Sequence, residues 1–135
     1  MDPKLCYLAS ELPADKLELV GEIASRDRIV CRRIGCQVHG PVIYALVVDA
    51  RVMKIGISGT KKSELRDRMY GTAQEITRTI RQGTDRTETF KNIAKAPILA
   101  GKRYEVWAKQ YPLEGLIDEE TRLTEKYDPP LRGSI

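Results

Sequence analysis

Two consecutive apolar segments, VIYALVV at 42–48 and RVMKIGI at 51–57, constrain the fold of this chain most strongly. Both segments are rich in β-branched residues, and Asp49 lies at the connection between them. Short runs of this kind around a tight connection predict two paired antiparallel strands. The pair carries a phenol, Tyr44, and an ammonium group, Lys54, among residues that are typical of a hydrophobic core.

The spacing of these two polar residues makes a prediction about the sheet. Side chains alternate between the two faces of a strand, and positions 44 and 54 differ by an even number. A loop with an odd number of residues pairs positions of matching parity and places both side chains on one face. We therefore predict an odd loop around Asp49 and Ala50, and a shared face for Tyr44 and Lys54.

The remaining segments complete an α+β pattern. They predict a helix at 11–27, a strand or loop at 28–40, a long helix at 63–82, a short helix within 87–100, a strand at 103–109 and a last helix at 113–127. A length of 135 residues suits a single domain. We predict one small antiparallel sheet of about three strands flanked by helices, with a helical and extended lead-in at 1–40 and a core at 41–132.

Composition limits the environment and the partners of the chain. The net charge of +4 permits a polyanionic partner without requiring one. No apolar run approaches the roughly 20 residues of a membrane span, and the first ten residues do not have the pattern of a signal peptide. These features predict a cytoplasmic protein.

The cysteines raise the question of a zinc site. Cys36 and His39 form a C-x-x-H pattern, and with Cys6 and Cys31 they offer a Cys₃His ligand set. The spacing is irregular, and free cysteine is a common small core residue. Three cysteines, an odd number, favour reduced thiols over a disulfide framework. Free thiols are the favoured interpretation, and zinc is the alternative.

The last predicted helix contains a carboxylate in its apolar stripe. At helical spacing Glu120 falls inside that stripe, whereas Glu119 points elsewhere. Burying a carboxylate without compensation costs several kcal/mol or shifts its pKa. Two interpretations are equally compatible with this helix alone: an ion pair with an arginine of a neighbouring helix, or a metal ligand or acid/base group in a cleft.

The polar residues together favour phosphate chemistry. Tyr44 and Lys54 on one face, with Glu120 and a basic helix nearby, resemble an active site of that kind. A phenol beside an ammonium group ionises more easily than its usual pKa of about 10 suggests, so Tyr44 could activate water.

The order of four short motifs resembles that of the GIY-YIG nuclease family. The motifs are VIY at 42–44, KIG at 54–56, ELRDRM at 64–69 and EETRLTEKYDPPLR at 119–132. The resemblance covers about residues 40 to 132 and implies two signature tripeptides on adjacent antiparallel strands. It also implies a following helix with an essential arginine and a later helix with a metal-binding glutamate. The sequence departs from the family pattern at Val42, at a longer SGTKKS loop and at Arg132.

The resemblance implies site residues position by position. Tyr44 matches the tyrosine of the first tripeptide, and Gly56 matches the glycine of the second. Lys54 stands where the second tripeptide usually has tyrosine. Some family members, including restriction endonucleases, also have lysine at this position. Glu120 matches the metal-binding glutamate. The arginine is Arg68, and Arg66 is the alternative if the helix is rotated.

The resemblance implies a DNA endonuclease that depends on Mg²⁺ (or Mn²⁺) bound by Glu120. Tyr44 would accept a proton from the attacking water, assisted by Lys54, and Arg68 would hold a phosphate oxygen. The alternative is a nucleic-acid-binding module without activity on the same fold. Duplex DNA is the expected partner, and the residues expected to contact it are Lys61, Lys62, Arg66, Arg78 and Arg81. A restriction-type homodimer, a repair enzyme and a phage or accessory nuclease are all compatible with the chain.

Overall fold

The structure is a computed structural model, and it describes residues 9–25, 29–32, 40–60, 65, 67–69, 72, 74 and 100–131. For residues 9, 24, 25 and 29–32 only the backbone is described. The chain begins with a 3₁₀ helix, Ala9–Asp15, which is followed by four strands: β1 Glu18–Ser25, β2 Ile29–Arg32, β3 Val42–Val48 and β4 Arg51–Ser58. Residues 65, 67–69, 72 and 74 belong to the next element, helix α1. The last two elements are strand β5 Tyr104–Gln110 and helix α2 Leu116–Tyr127.

The five strands form one sheet with the order β2-β1-β5-β3-β4. Every pair of neighbours is antiparallel. The α+β class is therefore confirmed, but the sheet is larger than the three strands expected. The additional strands, β1 and β2, come from the segment expected to lead into the core. That segment is part of the sheet instead.

The helix predicted at 11–27 is wrong. The chain makes a 3₁₀ helix over Ala9–Asp15, turns at Lys16 with a positive φ of 72°, and continues as β1. A bulge between Leu19 and Gly21 shifts the register of β1 against β5. Because a bulge interrupts the alternation of side chains, the apolar residues of β1 have a spacing that resembles a helix. Pairing with strands on both sides decides the conformation.

The hairpin of β3 and β4 is confirmed, but its loop is not odd. Asp49 and Ala50 form a two-residue turn, with positive φ values of 53° and 63°. Two-residue turns with both residues at positive φ match the twist of the flanking strands. The expectation of an odd loop is therefore wrong.

A bulge in β4 nevertheless places the two polar side chains on one face. Lys54 pairs with Leu46, whereas Val47 pairs with Val52, which leaves Met53 as an extra residue. The extra residue changes the parity of β4 in the same way as an odd loop. Tyr44 and Leu46 lie on one face of β3, and Lys54 shares that face through its pairing with Leu46.

Each face of the sheet has its own hydrophobic cluster. One cluster contains Ile23, Val42, Tyr44, Leu46, Val48, Leu65, Met69, Tyr104, Val106 and Ala108. The other contains Leu12, Leu17, Ile43, Ala45, Val47, Val52, Ile55, Leu116, Leu123 and Tyr127. The first cluster holds α1 on the face of Tyr44, and the second holds α2 and the 3₁₀ helix on the opposite face.

The later elements agree with their predictions where they are described. The strand predicted at 103–109 is β5, and the helix predicted at 113–127 begins three residues later, at Leu116. The described residues between 65 and 74 are helical, as expected for the helix at 63–82. The short helix within 87–100 lies outside the described residues, apart from Ala100. No helix in the described part of the chain is long and apolar enough to cross a membrane.

Candidate active site

Tyr44 lies across the neighbouring strand at Gly56. The two residues are direct partners in the β3–β4 register. A Cβ atom added to Gly56 would lie 2.6 Å from both Cζ and Oη of Tyr44. Real Cβ atoms do not approach other atoms so closely, so only glycine leaves room for the ring. The glycine at position 56 therefore has a structural reason: it accommodates the phenol.

Lys54 is a buried cation on the same face, two residues before Gly56. Its relative exposure is 6%. Burial lowers the pKa of Lys54, and the positive charge of Arg68 lowers it further, whereas the negative charge of Glu120 raises it. The charges of Arg68 and Glu120 are therefore both close enough to the ammonium group to change its pKa, in opposite directions.

Arg68 reaches this group from α1. Leu65 and Met69 of α1 are fully buried in the cluster that contains Tyr44, while Arg68 is exposed. The Thr72 hydroxyl donates to the Arg68 carbonyl oxygen at 3.0 Å, one turn along the helix. Because Leu65 and Met69 are buried against the sheet, Arg68 lies on the exposed face of α1. The alternative arginine, Arg66, lies outside the described residues.

Glu120 completes the group from α2. Its side chain is half-buried, and no ion pair joins it to another described residue. Burial raises the pKa of Glu120, and the positive charge of Lys54 lowers it. Glu119 differs, because it forms ion pairs with Lys109 and Arg122. The ion-paired carboxylate of this helix is thus Glu119, and Glu120 is the one that faces Lys54.

The phenol is less easily ionised than the sequence suggested. The pKa of Tyr44 is raised to about 12, mainly by burial. The positive charge of Arg68 lowers this pKa, and the negative charge of Glu120 raises it further. The expectation of a phenol activated by Lys54 is therefore wrong in the protein alone. The desolvation of the phenolate outweighs the neighbouring cation, and that cation is Arg68.

The donor set fits a hard divalent cation that keeps part of its water shell. Mg²⁺ is commonly held by one or two carboxylates together with waters and substrate phosphates. Glu120 offers one carboxylate that no cation neutralises by direct pairing among the described residues. In that part of the chain no three His, Cys, Asp or Glu residues form a cluster that could hold a metal on their own. Of the zinc alternative, only the backbone of Cys31 is described, in β2.

The residues expected to contact DNA cannot be compared with this geometry, because the structure describes another part of the chain. Lys61, Lys62, Arg66, Arg78 and Arg81 all lie outside that part. Lys61 and Lys62 follow Gly59 in the sequence, and Gly59 has a φ of +75°. A Cβ atom at Gly59 would lie 1.6 Å from the carbonyl oxygen of Gly40. The backbones of Gly40 and Gly59 therefore lie close together directly after the end of β4 at Ser58.

Comparison with known proteins adds structural neighbours only. No protein-family model and no curated protein sequence matches the chain. EndoII of bacteriophage T4, solved as a glutamate-to-alanine mutant, matches with a TM-score of 0.66 and 16% identity over 94% of this chain and 99% of that one. The restriction endonuclease HPY188I in complex with product DNA matches with a TM-score of 0.54 and 16% identity. This second match covers 80% of this chain and 66% of that one. The chain therefore shares its fold with these two endonucleases.

Proposed function

We propose that this chain is a divalent-metal-dependent DNA endonuclease of GIY-YIG type that hydrolyses phosphodiester bonds. The observation that supports this most is the electrostatic coupling of four side chains from four different elements. Tyr44 and Lys54 both respond to the charges of Arg68 and Glu120. These residues come from β3, β4, α1 and α2. Titratable side chains from several elements that shift one another's pKa values are typical of an active site.

We assign one role to each of the four residues. Glu120 holds Mg²⁺ or Mn²⁺, and the bound ion supplies charge stabilisation for the departing 3′ oxygen. Arg68, which is exposed, binds a non-bridging phosphate oxygen through its guanidinium group. Tyr44 accepts the proton of the attacking water, and the Arg68 charge favours the phenolate that this requires. Lys54 contributes a buried positive charge beside the phosphate.

The substrate that we propose is duplex DNA. A structural neighbour is a restriction endonuclease in complex with product DNA, and the chain carries an excess of positive charge. A restriction-type enzyme that cuts both strands would act as a symmetric homodimer. The oligomeric state in solution, measured by light scattering with and without DNA, tests this part of the proposal.

A plasmid-nicking assay tests the activity itself. The wild-type protein should nick supercoiled plasmid with Mg²⁺ or Mn²⁺ and not with EDTA. Glu120→Gln should remain folded in a thermal melt, keep its DNA binding in EDTA and lose cleavage. The matched control is Glu125→Gln, an exposed carboxylate on the same helix, which should cleave normally.

The possible results separate the two functions. A Glu120→Gln protein that cuts DNA at the wild-type rate would show that the metal ligand is another residue. A wild-type protein that binds DNA but cuts with neither ion would favour the non-catalytic binding module. If Glu120 were instead a member of a fully buried ion pair, its replacement would destabilise the fold by about 3 to 5 kcal/mol.

Lys61 and Lys62 are proposed to contact the phosphate backbone. Replacing Lys61 and Lys62 together by alanine should weaken binding to all duplexes, because phosphate contacts carry little sequence information. The salt dependence of binding should become less steep, since fewer counterions are released. An unchanged salt dependence would place the DNA elsewhere.

A further inference from the structure

A network of charges holds α2 at one edge of its buried stripe, and Glu120 lies at the other edge. Its centres are the carboxylates of Asp15, which is buried, and Glu119, which is partly buried, with side-chain exposures of 7% and 11%. Glu119 accepts hydrogen bonds from Lys109 Nζ at 2.5 Å and from the guanidinium of Arg122 at 2.7 and 2.8 Å. The network therefore ties α2 to β5.

The second carboxylate ties the 3₁₀ helix to the same side of α2. Asp15 accepts hydrogen bonds from Arg122 at 3.0 Å, from Lys126 at 2.7 Å and from the Tyr127 hydroxyl at 2.6 Å. Lys109 Nζ also donates to the backbone carbonyl of Asp15 at 3.0 Å. Arg122 contacts both carboxylates, so the 3₁₀ helix, β5 and α2 are joined in one network.

The network and the candidate site lie on two sides of the buried stripe of α2. Consecutive residues of an α-helix are about 100° apart around its axis. The stripe formed by Leu116, Leu123 and Tyr127 lies between Glu119 and Glu120 and packs against the sheet. Glu119 is directed towards β5 by Lys109, and Glu120 acts on Lys54 of β4.

The rotation of α2 therefore determines where the Glu120 carboxylate lies. A helix with its side chains is about 10–12 Å in diameter, so a rotation of about 20° moves a side-chain end by about 2 Å. Apolar packing is not directional and does not by itself select one rotation closely. Hydrogen bonds to buried carboxylates are directional. Functional groups need to be held within about 0.5 Å of their working position.

We infer that Asp15, Lys109, Glu119 and Arg122 are positioning residues that set the rotation of α2 and so direct Glu120 into the site. This inference rests on the proposed function of Glu120 as the metal ligand. It assigns a role to Asp15, Lys109 and Arg122, which sequence patterns did not single out, and it makes Glu119 a positioning residue rather than a metal ligand.

Two variants with opposite charge changes test the inference. Arg122→Gln removes a positive charge, and Glu119→Gln removes a negative charge. If only long-range electrostatics mattered, the first would tighten cation binding and the second would weaken it. If positioning matters, both weaken it, by about tenfold, as is typical when an outer partner of a metal ligand is lost.

The measurements are Mn²⁺ affinity without DNA and the Mg²⁺ concentration that gives half-maximal plasmid nicking. The Mn²⁺ affinity is followed by the EPR signal of the free ion. Both are made at a temperature at which thermal melts show the variants to be folded. Glu125→Gln is the control for removal of a carboxylate from α2, and Arg122→Lys, which keeps the charge and one donor, should restore part of the affinity.

The outcomes distinguish this inference from the proposed function. Weaker Mn²⁺ binding and a higher Mg²⁺ requirement in both variants support positioning. Tighter Mn²⁺ binding in Arg122→Gln overturns the inference. The same holds if neither variant changes Mn²⁺ binding while Glu120→Gln loses metal binding and cleavage. In both cases the proposed nuclease function stands. A Glu120→Gln protein with wild-type Mn²⁺ affinity and nicking overturns both. If Glu119→Gln does not fold, the sign of the change in Arg122→Gln decides alone.

Discussion

The ring of Tyr44 occupies the space that a side chain at Gly56 would fill, with Cζ and Oη 2.6 Å from the position of the missing Cβ atom. The two residues face each other in the centre of the β3–β4 hairpin. The position of the phenol in the candidate site therefore depends on the absence of one methyl group.

Gly56→Ala should damage both stability and cleavage. The added methyl group must displace the Tyr44 ring, and overpacking of this kind costs about 1–3 kcal/mol. We expect a lower free energy of unfolding in urea and a loss of nicking activity. In a Tyr44→Ala background the same change should cost little stability, because the ring is gone. An equal cost in both backgrounds would mean that the clash is not with the phenol.

The pH dependence of cleavage should report Tyr44. Its pKa of about 12 keeps the phenol neutral near pH 7. If the phenolate is the base, the rate should increase about tenfold per pH unit between about pH 6.5 and 9, as long as Lys54 keeps its proton. Arg68→Gln should lower the rate at each of these pH values, because it removes the charge that favours the phenolate. Tyr44→Phe is the reference, and a flat wild-type profile would exclude Tyr44 as the base.

The hairpin was predictable from sequence because its signals are local. Seven consecutive apolar residues, a turn and a second β-branched run are adjacent in the chain, and β3 has the bounds that the pattern predicted. The parity of the hairpin was not predictable in the same way. The turn has two residues, and the shared face of Tyr44 and Lys54 arises from the bulge at Met53, which nothing in the local pattern marks.

The elements that sequence reasoning missed depend on distant partners. The β1 strand was predicted as a helix because its bulge spaces the apolar residues like a helix, and its conformation is decided by pairing with β5. Asp15 contacts Arg122 from 107 positions away. No periodicity relates these two residues, so only the folded chain shows that they belong to one network.

The C-terminal segment should contribute to the stability of the site. Leu131 is fully buried beside Lys54, and its backbone N–H donates to the Met53 carbonyl oxygen at 3.0 Å, at the bulge. Leu131→Ala should reduce the free energy of unfolding by about 2–5 kcal/mol, as is typical of buried leucines. The control is Leu113→Ala, because Leu113 is 63% exposed and its loss should change stability by about 0.5 kcal/mol or less. Similar effects of both variants would contradict the packing of this segment.

Acid should weaken the anchoring of α2 through Asp15. Burial by itself raises the pKa of this carboxyl group, but hydrogen bonds from Lys126, Tyr127 and Arg122 outweigh it and lower the pKa from 3.8 to about 2. A pKa below that of the unfolded chain means that the carboxylate stabilises the fold above about pH 4 and that this contribution is lost as the pH falls towards 2. The shift corresponds to about 2 kcal/mol.

Unfolding curves in urea between pH 5 and 2 check this contribution. We expect the free energy of unfolding of the wild-type protein to fall across this range, and we expect Asp15→Asn to be less stable at pH 5 with a shallower fall. Asp118→Asn, at an exposed position in the first turn of α2, should follow the wild-type curve. If Asp15→Asn kept the full acid dependence, the carboxylates responsible would lie outside this network, and α2 would be held mainly by its apolar stripe.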